Sequence, residues 1–115
     1  MEINILNIQS SASMDRSLTR KLSNAFIETI SKAHNRVKVE TLDLVKSAPP
    51  FVSPEWISGA FSKTSISPSQ ASALSKSDEY ILQIQKADLI LIGAPMYNYG
   101  MPASLKAWFD QIALI

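Results

Sequence analysis

Residues 88–110, DLILIGAPMYNYGMPASLKAWFD, constrain the fold more tightly than any other part of the chain. The stretch opens with Leu89-Ile90-Leu91-Ile92, an unbroken apolar run with no room for a polar face. Such a run suits a strand covered on both sides, as in the middle of a parallel sheet. Gly93 and Pro95 stop it, and Met96-Tyr97-Asn98-Tyr99-Gly100 makes a loop. Pro102 fits the first position of a following helix, where its missing N–H is not needed. Inside that helix Leu105, Trp108, Phe109 and Ile112 fall at i, i+3, i+4 and i+7, one apolar stripe.

The rest of the chain extends this pattern. Ile3-Asn4-Ile5-Leu6-Asn7-Ile8 is a β-branched run and reads as a first strand. A polar loop follows, and then Leu22, Ala25, Phe26, Ile30 and Ala33 keep a helical period from about Ser17 to Ala33. Val37-Lys38-Val39-Glu40-Thr41 alternates apolar and polar residues, which predicts a second strand with one wet face or an edge position. His34, the single histidine, sits at the end of the first helix, where capping or exposure suits it better than catalysis or metal binding. Residues 44–60 contain Pro49, Pro50 and Pro54 and read as a long connection. Residues 62–69 are serine-rich and solvated, up to Ser67-Pro68-Ser69-Gln70, a helix-start signature. Leu74, Ser77, Ile81 and Ile84 then share one face of a helix reaching about Lys86. Strands separated by helices imply a three-layer α/β/α doubly wound parallel sheet of about three strands, in the order 2-1-3. The last helix is expected to run on to the final residue, Ile115.

Length and composition bound the function. A chain of 115 residues with 46% hydrophobic residues makes one domain, residues 1–115, with an ample core. A net charge of +1, with the basic residues scattered, leaves no electrostatic footprint for nucleic acid. The absence of cysteine removes disulfides, thiolate nucleophiles and thiolate metal sites together. The N-terminus has neither a basic region nor a long apolar one, and no run approaches the roughly 20 apolar residues of a membrane span. These features point to a soluble cytoplasmic protein. The only glycines are Gly59, Gly93 and Gly100, which excludes the GxGxxG and Walker A patterns.

Two loops carry the candidate chemistry. Ser10-Ser11-Ala12-Ser13, followed by Ser17-Leu18-Thr19, places hydroxyls ahead of a helix N-terminus, whose free N–H groups and dipole favour an anion. Taken alone, the same serines suit plain helix capping better. The Met96 to Gly100 loop offers flat apolar faces, an amide and close backbone approach, a combination suited to an aromatic heterocycle. With the expected strand order both loops meet at the switch point of the sheet, where open α/β sheets bind ligands.

Ala94-Pro95-Met96-Tyr97-Asn98-Tyr99-Gly100-Met101-Pro102, with Leu105-Lys106 and Trp108-Phe109-Asp110, resembles the FMN-dependent NADH-azoreductases of the flavodoxin-like NAD(P)H–quinone reductase group. The resemblance implies a flavodoxin-like fold and hydride transfer from NADH or NADPH through FMN to a quinone or azo acceptor. It assigns Ser11, Ser17, Thr19 and the Leu18 N–H to the FMN phosphate, with threonine in place of the family's last serine. Asp15 is unfavourable beside a phosphate, and Arg16 can offset it. Pro95, Met96, Tyr97, Asn98 and Tyr99 are assigned to the isoalloxazine and ribityl groups. Phe51 and Trp56 are expected either at the substrate pocket and a homodimer interface or folded back on the core. No catalytic side chain and no metal is implied, because the flavin carries the chemistry. Lys106 and Asp110 read as an exposed i, i+4 pair.

The resemblance covers about the N-terminal half of a typical family member. The expectation is therefore a truncated domain, or one completed by another chain, with the third strand's edge open. A catalytically silent flavin-binding or interaction module is the alternative. A receiver-type signalling domain is discarded, since residues 9–14 lack its acidic pair and residues 93–102 lack its aspartate.

Overall fold

The first apolar run is the middle of the sheet. In the computed structural model, which describes residues 2–113, β1 (Ile3–Gln9) lies between β2 (Val37–Asp43) and β3 (Leu89–Gly93). All three strands are parallel, with Ile5 opposite both Val39 and Leu89 and Gln9 opposite both Asp43 and Gly93. The order β2-β1-β3 is the one expected from the sequence. Helices α1 (Leu18–Ala33), α2 (Pro54–Ala60), α3 (Pro68–Lys86) and α4 (Ala103–Ile112) complete the described residues. Leu114 and Ile115, where the last helix was expected to continue, lie outside them.

Strand alternation divides the core. Leu6 and Ile8 point to one face and pack with Leu44, Tyr80, Leu105 and Trp108, the last three from α3 and α4. Ile5, Asn7 and Gln9 point to the other face, the side of α1. All five side chains are buried, as a central strand requires. The β3 run suits a strand covered on both sides, yet the open edge expected for the third strand is what is found: among the described residues β3 is an edge strand, and Ile90 and Ile92 stand partly exposed on it. An apolar run reports the environment a strand suits, not the number of neighbours it has.

Three further expectations are corrected. The sheet-facing line of α1 is Ser23, Ile27 and Ile30, whereas Leu22 and Phe26 are exposed and overhang a shallow depression with Leu91, Ile92, Gly93 and Ala94. The 44–60 connection contains α2, whose start repeats the device of α3: Ser53 accepts the Trp56 N–H at 3.1 Å and Pro54 occupies the first turn. Pro102 is the N-cap of α4 rather than its first residue, and Phe109 lies at the exposed margin of that helix's apolar stripe. The α3 start is as read: Ser67 Oγ accepts the Gln70 N–H at 3.3 Å while Gln70 Oε1 accepts the Ser67 N–H at 2.8 Å.

A buried polar chain ties the helices on the core side. Trp56 Nε1 donates to Ser77 Oγ at 2.8 Å, Ser77 Oγ donates to Gln111 Oε1 at 2.7 Å, and Gln111 Nε2 donates to the Pro50 carbonyl at 2.8 Å. Every buried donor along it meets an acceptor, so burial carries no unpaired penalty.

Candidate ligand site at the ends of the first and third strands

The C-terminal ends of β1 and β3 are locked side by side before the chain leaves them. The Ser10 N–H and Ser10 Oγ both donate to the Gly93 carbonyl, at 3.2 and 2.7 Å. From this clamp the 10–17 loop and the 94–102 loop emerge next to each other. They touch directly: the Ala12 N–H donates to Tyr97 Oη at 2.9 Å. The two loops singled out in the sequence therefore form one crevice at the switch point of the sheet.

One wall is the N-terminus of α1. Ser17 is its N-cap and is buried; its hydroxyl accepts the Arg20 N–H at 3.1 Å and lies 3.1 Å from Thr19 Oγ1. The Ser17 carbonyl accepts from Lys21. Of the first-turn N–H groups, this leaves those of Leu18 and Thr19 for an external acceptor. The Leu18 side chain points outward, so its role here is confined to the backbone. Ser11 is buried at the loop's start, with its hydroxyl turned toward Ser13, accepting from N–H at 3.3 Å and donating to O at 3.4 Å. The donors are neutral, and together with the positive end of the helix they suit a phosphate.

Behind this wall lies a pair that sequence reasoning missed. Arg20 donates through Nη1 to Asp43 Oδ2 at 2.9 Å and through Nη2 to Asp43 Oδ1 at 3.2 Å. The same guanidinium donates to the Ser11 carbonyl, from Nη2 at 2.7 Å and Nε at 3.3 Å. Asp43, at the end of β2, also accepts the N–H groups of Val45 and Lys46. Hydrogen bonding from Arg20 leads the causes that hold its carboxyl below the ordinary value, and the backbone N–H groups reinforce it against the opposing effect of burial. Neither residue sits in a spacing pattern that would mark it, and only the packing of the start of α1 beside the end of β2 brings them together.

The opposite wall is the Tyr97 to Gly100 turn. The Tyr97 N–H donates to the Gly100 carbonyl at 2.8 Å and the Gly100 N–H returns to the Tyr97 carbonyl at 3.0 Å. Asn98 and Tyr99 both take positive φ, 50° and 65°, the two-residue pattern of a type I′ turn. Asparagine tolerates that region; tyrosine is strained in it. The turn presents Tyr99 at 98% exposure and Met96 at 73%, with Pro95 half-buried beneath. Under the crevice floor runs a buried polar ladder, Gln9 Nε2 donating to Asn7 Oδ1 at 2.7 Å and Asn7 Nδ2 to Thr41 Oγ1 at 3.3 Å. Gln9 Oε1 has no hydrogen-bond partner among the described residues, and it lies where a Cβ on Gly93 would need to be.

The Ala12–Tyr97 bond thus sets the loop that carries Ser11, Ser17, Leu18 and Thr19 beside the loop that carries Pro95, Met96, Tyr97, Asn98 and Tyr99. Trp56 takes the core-facing alternative: it is buried and bonded to Ser77. Phe51 is exposed. Lys106 and Asp110 form the exposed pair expected of them, 2.5 Å apart. Among the described residues no group of three or more His, Asp or Glu side chains could hold a metal ion.

Parallel strands, helices on both faces and two loops meeting at the switch point define a doubly wound α/β domain. The chain belongs to the family described as flavodoxin-like fold, whose sequence pattern matches residues 3–114. An FMN-dependent NADH:quinone oxidoreductase of Opitutus terrae is 39% identical over 112 residues, which is 96% of this chain and 53% of the relative. A second protein of that name from Colwellia psychrerythraea is 41% identical over 100 residues, 86% of this chain and 46% of the relative. The crystal structure of an azoreductase from Bacillus anthracis superposes with a TM-score of 0.86 at 27% identity, covering 96% of this chain and 55% of that one. The resemblance read from residues 94–110 is borne out. The chain spans about half the length of the curated relatives it matches.

Proposed function

We propose that this chain forms the FMN-binding part of an oxidoreductase that takes hydride from NADH or NADPH and delivers it to a quinone or azo acceptor. The observation that carries this reading is the Ala12–Tyr97 hydrogen bond, which joins a hydroxyl-rich helix N-terminus and an aromatic turn into a single crevice. The names of these relatives, FMN-dependent NADH:quinone oxidoreductases, support the cofactor and the reaction class.

The residues present fit FMN. Ser17 Oγ, Thr19 Oγ1 and the Leu18 and Thr19 N–H groups would take the phosphate, with Ser11 at the loop's start. The turn from Met96 to Tyr99, on Pro95, would take the ring and ribityl chain. Bound FMN supplies the hydride-accepting and hydride-donating chemistry, and the protein supplies binding and orientation. Phe51, exposed with Val52, Ile57 and Phe61, belongs in this reading to the substrate mouth and the interface of a cytoplasmic homodimer.

Fluorescence titration with FMN tests the reading. Saturable binding at micromolar or lower concentration, followed by NADH oxidation on addition of a quinone, is the expected result. Binding without turnover would leave a flavin-binding module, and no binding to a folded chain would contradict the proposal.

A further inference from the structure

The Ser11–Ala12 peptide is held by its carbonyl from behind. A trans peptide is planar, with its C=O and the following N–H pointing in opposite directions. Arg20 grips the Ser11 carbonyl through Nη2 and Nε, and Asp43 grips Arg20 through both carboxylate oxygens. The Ala12 N–H is therefore turned away from Arg20 and across to the second loop, where Tyr97 Oη accepts it. Arg20 and Asp43 are only 16% and 14% exposed as side chains, so the pair is shielded and geometrically fixed. Both oxygens of Asp43 are taken up, and the guanidinium's donors are divided between Asp43 and a carbonyl behind the loop.

From this geometry we propose that Arg20, braced by Asp43, is a positioning residue that aims the Ala12 N–H into the crevice as a donor for a phosphate monoester. The proposal rests on the FMN reading above and adds residues that reading does not use. Arg20 acts through the peptide and not by touching the phosphate: a guanidinium committed to a carboxylate and a carbonyl is a brace. A charged phosphate oxygen is a stronger acceptor than a phenol oxygen, so it takes the Ala12 N–H from Tyr97. The phosphate end of the ligand then draws on an oriented backbone donor, while the ring end does not.

The test compares FMN with riboflavin, which lacks only the phosphate, in fluorescence titrations of the full chain. Wild type is expected to prefer FMN. Arg20→Gln, Arg20→Lys and Asp43→Asn should each lose about tenfold of that preference, through weaker FMN binding with riboflavin binding unchanged. Lysine keeps the charge but not the planar fork, so its loss marks geometry rather than field. If Arg20→Gln loses the preference while Asp43→Asn keeps it or gains, Arg20 contacts the phosphate directly and the proposal is overturned. Equal losses for FMN and riboflavin would also overturn it, since they mark general loosening of the fold. Wild-type preference that survives in all three variants overturns the brace alone. A wild type that binds no FMN overturns the flavin reading and the brace with it. Should the variants fail to fold, wild type still decides: the Ala12 amide resonance must move downfield on adding FMN and not on adding riboflavin, and an unmoved Ala12 overturns the proposal.

Discussion

At the scale of single residues, the crevice floor depends on Gly93 lacking a side chain. A Cβ there would lie 2.4 Å from Gln9 Oε1, and Gln9 is buried and bonded to Asn7. Gly93→Ala must push the carboxamide aside and break that bond, at about 1–3 kcal/mol. Denaturant unfolding should show this loss, and Gln9→Ala in the same chain should make the second substitution cheaper than additive. Additive losses would mean that the two residues do not compete for space. Asp43 gives a pH-dependent prediction. Its carboxyl titrates below its ordinary value of 3.8 in the fold, so its contribution is complete above that value and declines as pH falls through it. Asp43→Asn should cost about 1–3 kcal/mol at neutral pH. The gap between wild type and variant should narrow in acid. A gap that stays constant down to pH 3, well into the carboxylate range, would contradict the pairing with Arg20.

At the scale of elements, two devices recur with different costs. The Ser-Pro starts of α2 and α3 each satisfy a first-turn N–H with a serine hydroxyl. Only α3 adds the reciprocal glutamine. The Tyr97–Gly100 turn runs the other way, storing strain where it meets the crevice. Tyr99 at φ 65° occupies a region that costs a non-glycine residue about 1 kcal/mol or more. Tyr99→Gly should therefore raise stability by about 0.5–1 kcal/mol. It should lower flavin affinity, because it removes the exposed ring from the turn. Lower stability would show that the tyrosine is not strained. On the core side, Ser77→Ala leaves Trp56 Nε1 and Gln111 Oε1 buried without partners and should cost about 1–3 kcal/mol in thermal or chemical unfolding.

At the scale of the whole molecule, the parallel sheet, its 2-1-3 order and the meeting of two loops were legible because each strand run and helix period is carried by local residues. The loops converge because right-handed crossovers leave one place for them. What was not legible came from long-range packing. Arg20 and Asp43 carry no motif and meet only where the start of α1 lies beside the end of β2. Leu22 and Phe26 keep a helical period, yet their line faces the side of β3 instead of the sheet's centre. The sequence leaves Trp56 open between the pocket mouth and the core, and only α2, which folds it against Ser77, decides between them. The central claim, that FMN binds across the two loops, is tested most directly by mapping backbone amide shifts of the full chain as FMN is added. The account predicts that the perturbed amides cluster in residues 10–20 and 94–100, with Ala12, Leu18 and Thr19 among the largest. Shifts centred elsewhere, or none at saturating FMN in a folded chain, would contradict it.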